Sequence, residues 1–551
     1  MHRLVFHSVV VFLLCISGLF ATANSVAVGD TRTFWVTSFV NWPLVIPNSD
    51  KYETPATCRA VTDHCYIFVQ DSAWGTGLGV VTQSHVDDFV TALETRTPAR
   101  TDSGLMETIP TTCGAFPNAI DRDEHVYVLI TRFQDLLAGM LLTSYFDRAN
   151  QMSNTISRLI QLGYSEEVEL IYVNANYVSL PFNTGRNQAH GGCTAALGQL
   201  CLNARDMLDG PLVFDGIPEW LKLKNGYPNA PLVGINYPQQ FWNDPATRLD
   251  PDIATYSLLD ITSRYKYLGA FVTFWQYLSE QLGNSAVRAV AVNSLPGSTG
   301  FNSAMSSLGT DRRFTDLFED WSIANKLDDS TTASIRYYHR NYNPSVVWST
   351  TTTSYPDTAL GDTLPGNATR YHRFQNYNGG DQKRLHFIGN NGGTFQVYRL
   401  RTTNGQRAIT QLAVTNGECI EELAGTETAL IVMNEQLLGS ATYQIVAESV
   451  STIRNPEPTE QSSPQPFTLS GNSILSAGAG NWTISLTSAA PVSIALYDVA
   501  GRQLYQNEFV FSTGLHTINL ANVLSKHANG TYFLRANTPA AVAIKKIIWL
   551  H

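Results

Sequence analysis

Charge is what this sequence has least of. In 551 residues, Asp, Glu, Lys and Arg together make up 15%, against ~25% in ordinary soluble domains. Basic residues are the scarcer kind, 36 against 46 acidic, and the formal net charge is -10. That balance excludes a nucleic-acid binder, because phosphate contacts require a surplus of Lys and Arg. Long apolar runs are missing too. No stretch reaches the ~20 residues that span a bilayer, so no transmembrane segment is expected. Apolar residues as such are not short: at 44% they can fill several cores, which excludes wholesale disorder. Ser, Thr, Asn and Gly take the place of charge, a mix that suits β-rich extracellular proteins. At ~150 residues per domain, the length gives about three or four domains.

The first residues read as an export signal rather than as structure. His2-Arg3 supplies a short positive end, Val9-Val-Val-Phe-Leu-Leu14 begins an apolar run, and Ala21-Thr-Ala23 is a small-x-small cleavage site. The expectation is a signal peptide over residues 1–23. Cys15 follows Leu14, whereas a lipoprotein cysteine follows a small residue. Six cysteines lie beyond it: Cys58, Cys65, Cys113, Cys193, Cys201 and Cys419. In an exported chain an even count favours disulfides. Cys58 with Cys65, and Cys193 with Cys201, are the candidate local pairs. Cys113 and Cys419 would pair across domains or stay free.

Periodicity then divides the chain. Thr33-Phe-Trp-Val-Thr37 and Cys65-Tyr-Ile-Phe-Val-Gln70 are strands by their aromatic and β-branched content. Val86, Phe89, Val90 and Leu93 form a helical stripe. Val126–Ile130 and Val168–Val173 read as short buried strands, with a helix over 150–162 between them. Further helices are expected over 212–222, 256–282 and 314–326. After about Tyr342 the pattern changes to short strands with turns such as Asn391-Gly-Gly and Asn404-Gly. The expected organisation is an α+β domain over 24–342 and a β-sandwich over 343–450. A Pro-rich linker over 451–466 and a final β-sandwich over 467–551 follow.

The last piece carries specific motifs. Val492-Ser-Ile-Ala-Leu-Tyr-Asp-Val-Ala-Gly-Arg502 precedes Gly514-Leu-His-Thr-Ile-Asn-Leu520, Asn529-Gly-Thr-Tyr-Phe-Leu534 and Lys545-Lys-Ile-Ile-Trp-Leu-His551. In order and spacing these resemble the C-terminal sorting domain of the type IX secretion system of Bacteroidetes-related bacteria. The resemblance implies that the type IX machinery is a partner. It implies passage through the periplasm to the cell surface or the medium.

Colinear segments of the large domain resemble secreted zinc metallopeptidases of the thermolysin-like, especially hyicolysin-like, group. They include Thr57–Gln70, Asp121–Leu129, Ser144–Asn150, Ile171–Asn174, Tyr267–Val272 and Phe314–Asn325. The resemblance implies a zincin-like α+β domain, so the expected fold class is that domain followed by two all-β sandwiches. It also implies a chemistry: two His at i and i+4 on one helix, a Glu after the first as general base, and a later acidic third ligand. In Gln188-Ala-His190-Gly191-Gly192-Cys193-Thr194, His190 matches the first ligand, but Gly191 replaces the base and Thr194 the second His. Asp215 falls on the third-ligand position and Glu219 on a second acidic one. No His-Glu-x-x-His occurs anywhere in the chain. Losing a general base forfeits ~10²–10⁴-fold in rate. Gly191-Gly192 costs ~1 kcal/mol per residue of helix propensity, so a late or broken helix is expected there.

No catalytic residue is therefore assigned, and no cofactor is expected. His190, Asp215 and Glu219 are vestigial metal-site candidates, with His190 and Asp215 able to touch. The leading expectation is a catalytically inactive, exported protein that binds a peptide, matrix or cell-surface ligand. One alternative is an active peptidase with zinc on His190, Asp215 and either Cys193 or Glu219. A Cys193–His190 catalytic pair is a lesser reading. Another alternative is an adhesin whose Tyr371, Tyr377 and Tyr398 stack on sugars.

Overall fold

The computed structural model describes residues 26–39, 50–134, 141–181, 183–228, 235–253, 256, 261–329, 335–355, 357–375, 382–390, 392–424, 427–436, 439–450, 467–471, 474–476, 481–498, 502–539 and 542–550. The expected signal peptide, the Pro-rich linker, Tyr377 and Asn391 lie outside them. The chain forms two units, Met1–Thr452 and Ile453–His551.

The first unit opens on six strands: β1 (Thr31–Thr37), β2 (Lys51–Val61), β3 (Cys65–Gln70), β4 (Val126–Thr131), β5 (Ser144–Phe146) and β6 (Leu170–Asn174). They form one sheet in the order β1-β2-β3-β4-β6-β5. β3, β4 and β6 run parallel, and β5 closes the edge antiparallel to β6. The central strands read Val-Tyr-Val-Leu-Ile-Thr and Leu-Ile-Tyr-Val-Asn and are buried throughout, as parallel strands covered on both faces must be. Val128, Ile130, Ile171 and Val173 face the main helical core. Tyr127, Leu129, Leu170 and Tyr172 face a smaller aromatic cluster.

The longer helices are α1 (Gln83–Val90), α2 (Asn183–Arg205), α3 (Gly216–Lys224), α4 (Tyr237–Asn243), α5 (Ile261–Leu282), α6 (Asn284–Ala291), α7 (Gly297–Ser307) and α8 (Phe314–Leu327). The expected 256–282 segment provides α5, whose Trp275 indole N–H donates to the Leu212 carbonyl at 2.8 Å. Among the described residues no helix is long and apolar enough to cross a membrane.

Two expectations fail here. The helix does not break at Gly191-Gly192, because α2 is continuous through both. The weak local propensity is overridden by packing, since these glycines let neighbours come close. The expected disulfides do not form either: all six cysteines from Cys58 to Cys419 are free and buried. Cys58 and Cys65 point into cores on opposite faces of the sheet. Cys193 and Cys201 share α2 and sit eight residues apart, about 12 Å along the axis, beyond the ~7 Å a disulfide tolerates. Cys113 and Cys419 lie in different cores.

The unit continues with β7 (Thr350–Thr352), β8 (Asp357–Pro365), β9 (Ala368–Gln375), β10 (Gln382–Gly389), β11 (Phe395–Thr403), β12 (Gln406–Leu412), β13 (Glu418–Glu422), β14 (Glu427–Asn434) and β15 (Ser440–Val450). They make two sheets, β13-β10-β15-β8 and β12-β11-β14-β9-β7. Phe374, Phe387, Val397, Val432 and Ile445 fill the space between them. Asn404 and Gly405 take positive φ (51° and 79°) at the β11–β12 turn, as an Asn-Gly hairpin requires. The outer face of the second sheet is also covered. Tyr371, Tyr398, Ile431 and Met433 join the main core against α8. The Tyr371 hydroxyl donates to the Ser322 carbonyl at 2.7 Å, and the Tyr398 hydroxyl to Glu319. Both tyrosines are thus packing residues and present no face to a sugar.

The second unit holds β16 (Phe467–Gly471), β17 (Ile474–Ser476), β18 (Asn481–Leu486), β19 (Ala490–Asp498), β20 (Gln503–Phe511), β21 (Gly514–Asn519), β22 (Gly530–Asn537) and β23 (Val542–Leu550). They form sheets β16-β18-β21 and β17-β23-β22-β19-β20. Trp482, Ile494, Leu534 and Trp549 lie in the shared core.

Candidate ligand groove

The end of the first sheet makes a groove. Among the described residues β5 pairs only with β6, which makes it an edge strand of the sheet. Beside it runs α2. An added Cβ at Gly192 would lie 2.2 Å from the Thr143 hydroxyl and 2.6 Å from that of Ser144, so only glycine lets the helix approach this closely. Position 192 begins a stripe, Gly192-Ala195-Ala196-Gln199, at the i, i+3, i+4, i+7 spacing of one helix face. Ala195, Ala196 and Gln199 line a cavity of about 280 Å³ with Thr143–Phe146. The junction before α3 supplies Asp215, and α3 itself supplies Glu219 and Lys222.

The two carboxylates inside the groove are partnered. The Gln199 amide donates to Asp215 Oδ1 at 2.7 Å. Burial raises the pKa of Asp215 above the ordinary carboxylate value, while Arg264, Gln199, Arg148 and Tyr256 hold it down. Glu219 is neutralised by Lys222, whose ammonium donates to both carboxylate oxygens at 2.7 and 2.9 Å. Tyr237 and Tyr265 stack at 5.2 Å on the far wall.

His190 is not in this groove. It precedes Gln199 by nine residues, half a revolution at 3.6 residues per turn, and faces the opposite side of α2. There its ring packs on Phe89 and stands 3.9 Å from Asp88. Burial lowers its pKa to about 4. Cys193 is buried in the main core, and the Thr194 hydroxyl donates back to the His190 carbonyl at 2.9 Å. The vestigial candidates therefore divide: Asp215 and Glu219 share the groove, and His190 does not. Among the described residues no group of three or more His, Cys, Asp or Glu could hold a metal ion. Ala195, Ala196 and Gln199 escaped the sequence reading because alanine and glutamine carry no chemical signal. Their helical spacing was the only trace.

Residues 478–549 match the family described as secretion system C-terminal sorting domain. Most of the second unit lies within that match. The chain is an exported, extracellular protein. Its sorting motifs fall on β19, β21, β22 and β23, strands of the folded second unit. Comparison with curated proteins gives no match. Among solved structures, a periplasmic inhibitor of g-type lysozyme from Salmonella Typhimurium is similar at 14% identity, covering 18% of this chain and 95% of its own, with a TM-score of 0.14. A glycosyl hydrolase family 2 member from Bacteroides cellulosilyticus is 9% identical over 33% of this chain and 26% of its own, at 0.15. A β-glucuronidase from Faecalibacterium prausnitzii is 12% identical over 35% and 38%, at 0.16. The exported chain thus spans well under half of either glycosidase. At such TM-scores none of these likenesses bears on its activity.

Proposed function

We propose that the exported protein is a non-catalytic binding protein that holds an extended peptide segment in the groove beside β5. The observation that carries this is the face of α2 toward β5: Ala195, Ala196 and a Gln199 already bonded to Asp215 line the groove, and Gly192 lies against Thr143 and Ser144. A free strand edge offers main-chain pairing to an extended segment, and neighbouring pockets select its side chains. The resemblance to zinc metallopeptidases fits this place better than it fits His190. Laid on the groove, the family's His-Glu-x-x-His falls on Ala195-Ala196-Leu197-Gly198-Gln199. Two alanines have no ligating atom, the glutamine amide is engaged, and Glu219 is paired with Lys222. The residues do not fit zinc, and no hydrolytic step is derived. The scaffold is then a peptidase-like one whose catalytic groups have been replaced.

The test is hydrogen exchange of the purified exported protein with and without a library of extended peptides. Protection confined to β5 and the facing turns of α2 is expected, together with no cleavage of casein. Chelator-sensitive cleavage that is lost in Asp215→Asn would overturn the reading. So would peptide binding that leaves β5 exchange unchanged.

A further inference from the structure

The face of α3 turned away from Glu219 borders a second cavity, of about 410 Å³. Three cations line it from three elements. Arg100 comes from the segment after α1, Lys224 from the last turn of α3, and Arg288 from α6. Among the described residues none of the three forms an ion pair with a carboxylate. Arg288 is held in place by main-chain carbonyls, those of Pro110 and Thr111, at 2.9 and 2.7 Å. Lys224 lies 5.5 Å from the centre of the Trp220 ring. Burial and the nearby Arg100 both lower its pKa, against an opposing pull from Glu280. Glu280 is itself engaged, with Gln276 and the backbone N–H groups of Arg340 and Asn341. Arg100 and Lys224 carry the same charge, and like charges brought close repel one another.

The N-terminus of α6 forms part of the remaining wall, beside Ser103, Thr108, Thr111 and Thr112. Asn284 and Ser285 line the cavity there, and the first turn carries no acidic residue and no side-chain cap. Free N–H groups at a helix start favour an anion. Glu107 is the single acidic group among the lining residues.

We propose that this cavity binds the oxyanion group of a ligand: a sulfate, a phosphate or a carboxylate. The cations come from three separate elements, so the site exists only in the folded chain. The probes are inorganic phosphate, inorganic sulfate and glucuronate, titrated calorimetrically into the full exported protein at constant ionic strength. Saturable binding of at least one is expected, and which one binds identifies the class of group. Lys224→Met and Arg100→Gln should each weaken it roughly tenfold, the usual share of one charge-assisted hydrogen bond. Glu107→Gln should tighten it, and hydrogen exchange should slow at 284–287. These positions are at the surface, and circular dichroism checks that the variants fold. Absence of saturable binding by all three probes would overturn the proposal. Affinity unchanged in both cation variants would do the same.

Discussion

A methyl group at position 192 would collide with the hydroxyls of Thr143 and Ser144 at 2.2 and 2.6 Å. In an exposed helix interior, Gly→Ala stabilises by about 1 kcal/mol. At this position the sign should reverse. Gly192→Ala is expected to cost about 1–3 kcal/mol, because α2 must move off β5. Urea unfolding measures it, and a gain in stability would show that the helix and strand are not pressed together. Lys222 and Glu219 make a second local case. Their side chains are 10% and 12% exposed, so removing one leaves the other buried and alone. Lys222→Ala should cost about 3 kcal/mol or more, since an unpaired buried charge is far worse than a missing pair. Replacing both with Met and Leu should recover most of it, and failure to recover would mean the pair contributes beyond neutralising itself.

Elements meet across buried histidines, and these set a pH dependence. Burial lowers His339 and His372 to about 3 and His190 to about 4. His372 is bonded to Thr350 and Tyr443, at 2.8 and 2.7 Å, and so ties β9 to β7 and β15. His339 packs against Tyr277 of α5, with neither ring nitrogen bonded among the described residues. A histidine whose folded pKa is depressed binds fewer protons folded than unfolded. Its stability contribution is therefore whole above the unfolded value near 6.5 and is lost as pH falls toward the folded one. Asp209, pushed up to about 7, and Glu169, pushed up to about 8, act in the opposite direction, losing stability as pH rises toward those values. Comparing variants separates the two sets. His339→Leu should reduce the slope of stability against pH by about one proton between pH 6.5 and 4. It should also leave the protein at least as stable at neutral pH, because an unbonded buried polar group is removed. An unchanged slope would show that His339 titrates normally.

For the whole molecule, the division into two units matters most. The second has its own core of Trp482, Ile494, Leu534 and Trp549 and carries the sorting match. Deleting residues 467–551 should leave the remaining chain folded, with its circular dichroism and groove binding kept, but retained in the periplasm. Fractionation of producing cells is the readout. Release of the truncated chain at the normal level would remove the sorting role from this unit. The first unit should not be divided in the same way. Its main core runs from β3 and α2 through α5 and α8 to Tyr371, Ile431 and Met433. A fragment starting at 343 would expose that face of the second sheet.

Periodicity and turn chemistry alone located β3, β4, α8 and the Asn404-Gly405 hairpin, because these depend on local spacing and side-chain type. The sorting motifs were legible for the same reason: they are contiguous strands with specific residues. The groove was not. Which face of α2 meets β5 depends on where the helix starts and on the close approach at Gly192. His190, the position that the resemblance singled out, lies half a revolution of α2 from Gln199 and outside the groove. The cysteine pairs failed on the same ground, since closeness in sequence does not bring side chains on opposite sheet faces, or two helical turns apart, together. The anion-binding cavity is the clearest case. A chain so poor in charge gives no sign of three cations meeting, and only the packing of α3 against α6 and the segment at Arg100 brings them to one place.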